Sequence, residues 1–266
     1  MTKYIIPFLY TFYTRTKGNS KKVAYLVTFI IPVFLFAYAM LYKSNISPVT
    51  IGVGVIVALI GTMSIYEIGY IRNDVFTIKT EKNPTLRLSK DELTYVEKNI
   101  TTILVVKYII AILSVIIIYF LKLEYIQFLI ALVLIEIVYF MHNKVRGRLS
   151  ILSFFILSTL RYITALMIFK GNVLLTIAVF IVAISIPRTF EKASEKKFNI
   201  KYLAFMRDGT VELNLVRFLY YIALLINVLA EYMMLHTGII FIILTLYYLI
   251  YRGLIALVIF MKSRRD

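Results

Sequence analysis

The sequence predicts an all-α fold, a polytopic bundle of eight transmembrane helices forming one integral membrane domain over residues 1–266, with its N-terminus in the cytoplasm. Three observations predict it. The chain is 61% hydrophobic over 266 residues, above the roughly half that is usual for a water-soluble domain. Its apolar residues gather into runs of about 20, the length a helix rising about 1.5 Å per residue needs to cross a hydrocarbon core about 30 Å thick. Its cations are also distributed unevenly between the connecting segments, which sets the orientation.

The runs lie at about 23–42, 49–71, 99–121, 125–141, 148–169, 171–187, 212–234 and 237–261. The first 22 residues are polar and basic around a short apolar stretch and carry no cleavage-site pattern, so they read as a cytoplasmic segment rather than a removable signal. The fourth and sixth runs are short. The eighth is long and holds Arg252-Gly253; a break there would give a ninth short span or a re-entrant turn. With an even number of spans, segments 1–22, 72–98, 142–147, 188–211 and 262–266 share one side. They hold 5, 6, 3, 6 and 3 basic residues, counting Arg148 at the lip of the third, against Lys43, Lys122 and Lys170 on the other side. Positively charged loops stay in the cytoplasm, so this asymmetry orients the chain in a cytoplasmic (inner) membrane. Two long loops of mixed charge, 72–98 and 188–211, follow the second and sixth spans, the pattern of an internal repeat of four helices each.

Composition excludes several classes. The net charge of +16 would suggest nucleic acid in a soluble chain, but here most of the excess belongs to membrane topology, so no nucleic-acid partner is expected. The absence of Cys removes disulfides, thiolate metal sites and cysteine nucleophiles, and two His, at 142 and 236, leave little for imidazole metal chemistry.

The first long loop opens on Glu67, Tyr70, Asn73 and Asp74 and continues through Thr77, Lys79, Glu81, Lys82, Asn83-Pro84 and Arg87. If the second helix continues through it, Glu67, Tyr70, Asp74, Thr77 and Glu81 share one face. Carboxylates so placed suit Mg²⁺ bridged to a diphosphate, since Mg²⁺ takes one or two carboxylates plus phosphate oxygens and water. Lys79, Lys82 and Arg87 supply cations for the phosphate oxygens. In the second loop Arg188, Glu191, Lys192 and Glu195 fall on one helical face. The plain reading there is an interfacial helix with Glu-to-Lys pairs. Within the spans, Glu67 is expected to face a cavity as an acceptor-side base or a partner for Arg161, and Lys107 and Glu231 are expected to be structural or to snorkel. Glu136 and Arg161 are open between cross-helix pairing and substrate contact.

The run Asn73-Asp74-x-x-Thr77-x-x-x-Glu81 resembles the first motif of the UbiA superfamily of intramembrane prenyltransferases, Asn-Asp-x-x-Asp-x-x-x-Asp, and Glu191-x-x-x-Glu195 resembles its second, Asp-x-x-x-Asp. The resemblance implies a UbiA-like bundle whose membrane-open cavity holds a polyisoprenoid. Its cytoplasmic mouth would bind a Mg²⁺-complexed diphosphate. Carried over, Asp74, Glu81, Glu191 and Glu195 are metal ligands, with Asp74 and Glu191 catalytic; Asn73, Lys79, Lys82, Arg87, Arg188, Lys192, Glu67 and Tyr70 bind substrate. Thr77 stands where the family has its middle Asp. Arg188-Thr-Phe-Glu191 and Asn83-Pro84-Thr85-Leu86-Arg87 are also similar to motifs of the superfamily branch that moves phosphoribosyl from phosphoribosyl diphosphate to a polyprenyl phosphate. The expected function is Mg²⁺-dependent transfer of a polyisoprenoid group from its diphosphate to a membrane-embedded acceptor. The alternatives are phosphoribosyl transfer to a polyprenyl phosphate, and a non-catalytic lipid-diphosphate binder or transporter.

Overall fold

The computed structural model describes residues 1–41, 44–80, 85–145, 147–207, 213–235 and 239–263. All the regular structure among them is helical. Eight helices are long and apolar enough to cross a membrane, so this is a multi-pass integral membrane protein. In chain order the helices are α1 (Thr2–Ile5), α2 (Leu9–Thr14), α3 (Asn19–Leu41), α4 (Pro48–Val75), α5 (Lys90–Lys98), α6 (Ile100–Phe120), α7 (Tyr125–Lys144), α8 (Leu149–Ile163), α9 (Val173–Ala193), α10 (Leu213–Leu235) and α11 (Ile239–Ser263). The spans are α3, α4 and α6–α11. The eighth runs unbroken through Arg252-Gly253, so no ninth span forms there.

The chain divides into two compact units. The first is Met1–Arg146 with Leu160–Val173, and the second is Gly147–Thr159 with Leu174–Asp266. One boundary falls between the fourth and fifth spans, at Arg146 and Gly147, and the others divide α8 after Thr159 and return the chain to the second unit at Leu174.

In the first unit α4 is the central helix. It starts cleanly: the Ser47 side chain accepts the Thr50 amide at 3.1 Å, and Pro48 occupies the first turn, where a missing N–H costs nothing. It packs on α6 and α7, and two glycines permit the approach. A Cβ at Gly69 would lie 2.2 Å from the Tyr139 ring, and one at Gly61 would lie 2.9 Å from Ser114 Cβ. The helix ends at Val75, with the Phe76 amide still bonded to the Arg72 carbonyl. A 3₁₀ turn, Thr77–Thr80, follows. The helical face therefore carries Glu67, Tyr70 and Asp74 but does not continue through Thr77, and Glu81 lies outside the described residues.

The largest departure from expectation is the N-terminal segment, which is not a solvated tail. Pro7 and Phe8, the latter at φ +72°, turn the chain between α1 and α2. Tyr4 and Tyr10 then join Ile71, Val75, Val96 and Ile103 in a common core under the end of α4. Their neighbours Ile5, Ile6, Phe8, Leu9, Phe12 and Tyr13 make residues 4–13 mostly apolar and aromatic. That composition favours burial over hydration.

Two spans carry a proline within the helix, and each is accommodated in the same way. Pro32 and Pro187 have no N–H for the carbonyl four residues back, and each is preceded by a π-helical turn, Leu26–Ile30 and Ile181–Ser185. The released carbonyls find tyrosines: Tyr162 donates to Thr28 O at 2.9 Å, and Tyr221 donates to Ala183 O at 2.7 Å. In the second unit Tyr221 also stacks on Tyr248 at 5.3 Å, joining α10 to α11.

Candidate functional site

The site grows from the α4 face. Residues 66, 70 and 74 are spaced by four, so Tyr66, Tyr70 and Asp74 stand above one another over about 12 Å of helix. Asp74 is 3% exposed although it terminates a span. Its carboxylate is fully engaged. Tyr10 donates to Oδ2 at 2.7 Å, and Arg15 binds bidentately, Nη1 to Oδ2 at 2.7 Å and Nη2 to Oδ1 at 2.9 Å. Arg87 Nη1 reaches Oδ1 at 3.2 Å and the Asn73 amide reaches it at 3.3 Å. Arg15 lies over the Tyr70 ring at 4.3 Å from its centroid, a cation–π contact that fixes the plane of the guanidinium. Burial works against the charge on Arg15, but the Asp74 pair outweighs it and holds the guanidinium above its ordinary value. Burial and the adjacent carboxylate both push the Tyr10 phenol up.

About two turns deeper than Asp74, Glu67 is wholly buried and joins three elements. It accepts the Thr11 amide at 2.7 Å and pairs with Lys107 Nζ at 2.7 Å, and Lys107 also donates to Ile5 O at 3.3 Å. The expected Glu67 partner, Arg161, is not the one it takes. Lys107 does not snorkel: both side chains of this pair are fully inaccessible. Glu136 forms a pair across helices, with Arg72 and with Tyr108, whose hydroxyl donates to Oε1 at 2.7 Å. Arg161 is buried among aromatic rings, 4.7 Å from the Tyr25 centroid, 4.5 Å from Phe29 and 5.3 Å from Tyr66.

The N-terminal segment is tied down at its rim. Glu92, in the capping box that starts α5, receives both the Lys3 ammonium and the Tyr13 hydroxyl. These two donors hold its carboxyl down to about 2. Lys79, expected to meet phosphate, pairs with Glu97 at 2.5 Å. Lys82 and Glu81 lie outside the described residues.

The second motif lies wholly in the second unit. Glu191 is gripped by Arg217 of α10 through two bonds, 2.6 and 2.7 Å. Lys192 bonds both oxygens of Glu195, at 2.8 and 2.9 Å. Burial alone would push the Glu195 carboxyl up, but Lys192 and Lys197 outweigh it and leave it below the usual carboxylate range. Arg188 precedes Glu191 by three residues on the same helix.

The structure thus brings Asn73, Asp74, Arg87 and Tyr70 together, with Glu67 about two turns from Asp74. It gathers Arg188, Glu191, Lys192 and Glu195 into a separate cluster. Sequence reasoning missed Arg15, Tyr10 and Thr11; the aromatic content of residues 4–13 was the available signal. Among the described residues no three His, Asp or Glu side chains converge as a metal site. Both Asp74 oxygens are taken by cationic or polar donors, so the described residues do not fit Mg²⁺ in this arrangement. The charges around α4 lean positive instead: the buried or half-buried Arg15, Arg72, Arg87, Lys107 and Arg161 stand against Glu67, Asp74 and Glu136, a formal excess of two.

Comparison with protein-family models, with curated proteins and with solved structures returned no match.

Proposed function

We propose that this chain is an intramembrane transferase of the UbiA type, which moves a group from a diphosphate donor to an isoprenoid or isoprenoid-accepting molecule held in the bilayer. One observation carries the reading. Asp74, at the membrane end of α4, is clasped by two guanidiniums, Arg15 and Arg87, whose combined charge exceeds its own. Two guanidiniums held in fixed planes at the end of a span suit the oxygens of a diphosphate, which Arg binds bidentately.

In this reading the donor C–O bond breaks and its electron pair leaves with the diphosphate. The acceptor supplies the pair that forms the new bond to that carbon, and an acceptor that carries a proton at the attacking atom gives it up to the departing diphosphate or to water. Arg15 and Arg87 stabilise the charge that develops on the leaving group, and Asp74 with Tyr10 and Tyr70 keeps them oriented. Asn73 adds a neutral amide donor. Glu67 is a positioning residue, since Lys107 and the Thr11 amide occupy it. Mg²⁺, which the family resemblance implies, would supply charge neutralisation when bound. The excess of basic residues in the segments on this side supports a cytoplasmic face for this end, in a cytoplasmic membrane.

A second donor has a specific observation in its favour. Phosphoribosyl diphosphate carries one phosphate more than a prenyl diphosphate, and the excess of two positive charges among the buried and half-buried residues around α4 suits the more anionic molecule. Its acceptor would be a polyprenyl phosphate, whose anionic oxygen has no proton to lose.

Binding of inorganic diphosphate to the detergent-solubilised protein, measured by calorimetry with Mg²⁺ and with EDTA, tests the clasp. Arg15→Gln and Arg87→Gln are each expected to weaken binding about 10- to 100-fold, the loss of charge-assisted bonds worth about 1.5–3 kcal/mol. Unchanged affinity in both variants would overturn the assignment.

A further inference from the structure

Arg161 stands apart from the other cations gathered around α4. Arg15, Arg72, Arg87 and Lys107 each have a carboxylate; Arg161 forms no ion pair among the described residues. Its side chain is buried within a span, and Nε and Nη2 are both closed off from solvent with no hydrogen-bond partner among those residues. The rings of Tyr25, Phe29 and Tyr66 around it supply cation–π attraction, worth about 0.5–2 kcal/mol each. They supply no counter-charge and leave Nε and Nη2 without an acceptor among the described residues. A guanidinium left this way in a low-dielectric interior is costly, and such charges line ligand paths or meet partners.

Its position gives the vacant N–H groups a use. Tyr66 and Tyr70 occupy one face of α4, one turn apart, with their rings in edge contact at 5.3 Å. Arg15 lies over Tyr70, and Arg161 lies over Tyr66. The two guanidiniums are therefore linked by a continuous aromatic strip, with Arg161 the deeper by about 5.4 Å, one helical turn. Arg15 is committed to Asp74, whereas Arg161 is committed to nothing of opposite sign.

We infer that Arg161 is the binding residue for a second anion, an oxyanion carried on an apolar tail that reaches it from the bilayer. The apolar and aromatic shell excludes a hydrated free ion, because one guanidinium cannot repay full desolvation of phosphate. A tail that stays in hydrocarbon supplies the missing affinity. The chemistry is that of a lipid phosphate monoester or a long-chain carboxylate. The assignment rests on the transferase reading only in calling this molecule the acceptor. Bound there, its oxyanion sits one turn below the donor diphosphate on the same helical face. Occupancy requires the rings that now cover Nε and Nη2 to rotate aside.

The test uses the full chain in detergent with farnesyl phosphate, farnesol, palmitate and inorganic phosphate as probes, read by calorimetry and by the shift in unfolding temperature. Farnesyl phosphate is expected to bind and to raise the wild-type unfolding temperature, while farnesol and inorganic phosphate do neither. Arg161→Gln is expected to weaken farnesyl phosphate about 10- to 100-fold, and Arg161→Lys to recover part of the loss. Palmitate binding that depends equally on Arg161 supports the oxyanion site and assigns it to carboxylates. Farnesol binding as tightly as farnesyl phosphate to the wild type overturns the proposal, and this arm holds even if the variants do not fold. Undiminished farnesyl phosphate binding in folded Arg161→Gln overturns it too. Inorganic diphosphate binding to Arg161→Gln serves as the control: it should match the wild type, so a failed donor clasp and a failed Arg161 site give different results.

Discussion

The Glu67–Lys107 pair is the point at which the N-terminal segment is locked to the spans, and breaking it from one side should be severe. Both side chains are fully buried, 2.7 Å apart, and Glu67 simultaneously takes the Thr11 amide while Lys107 takes the Ile5 carbonyl. Lys107→Met leaves a carboxylate in hydrocarbon with one amide for company. Removing one partner of a buried pair costs about 3–5 kcal/mol, because the remaining charge is uncompensated. Replacing both with groups of similar shape and no charge, Lys107→Met with Glu67→Gln, removes that penalty and should recover most of the loss. The Gln amide can still accept from Thr11. Equilibrium unfolding of the four proteins in mixed micelles gives the double-mutant cycle, and a coupling of about 2 kcal/mol or more is expected. Additivity within about 0.5 kcal/mol would refute the reasoning, since the two residues would then act independently. The same variants carry a functional consequence: release of Thr11 frees the helix that holds Arg15 on Asp74, so Lys107→Met should also weaken diphosphate binding.

Gly69→Ala should destabilise the fold by about 1–3 kcal/mol, as overpacking does, because the new methyl would meet the Tyr139 ring at 2.2 Å; an unfolding temperature equal to wild type would count against the close α4–α7 packing. Glu92 supplies a pH dependence. Its carboxyl is held at about 2 when folded against a usual value near 4.5, so its stabilising contribution is present above about 4.5 and is lost as pH falls toward 2. The Lys3–Glu92 pair is partly exposed, so solvent screening limits the contribution to about 1 kcal/mol or less. A nitroxide at Thr2→Cys, simple to place in a chain without native Cys, should become more mobile through that range and should be mobile at every pH in Glu92→Gln. A probe with the same mobility at pH 5 and pH 3 in both proteins would contradict the tether.

The spans were legible in the sequence because twenty-residue apolar runs leave little choice, and α11 only removed the alternative break at Arg252-Gly253. Asp74 with Asn73 and Arg87 was legible as a polar group at the end of a span. The occupants of its oxygens were not. Tyr10 and Arg15 lie 64 and 59 residues away in sequence, and the basic residues around them hid the apolar, aromatic character of residues 4–13. The helical face was extended too far, to Thr77, because spacing alone does not reveal that α4 ends at Val75. Partner choice among intramembrane charges was also beyond sequence: Glu67 could meet Lys107 or Arg161 on pattern alone, and only packing decides.

The transferase reading is tested most directly by mass spectrometry of lipids after the purified protein is incubated with Mg²⁺ and, in parallel, a prenyl diphosphate with aromatic acceptors or phosphoribosyl diphosphate with a polyprenyl phosphate. A new lipid whose mass equals acceptor plus transferred group, formed by the wild type and lost in Arg15→Gln, is the predicted result. Donor and acceptor both recovered intact, from protein that binds diphosphate through Arg15, would contradict it.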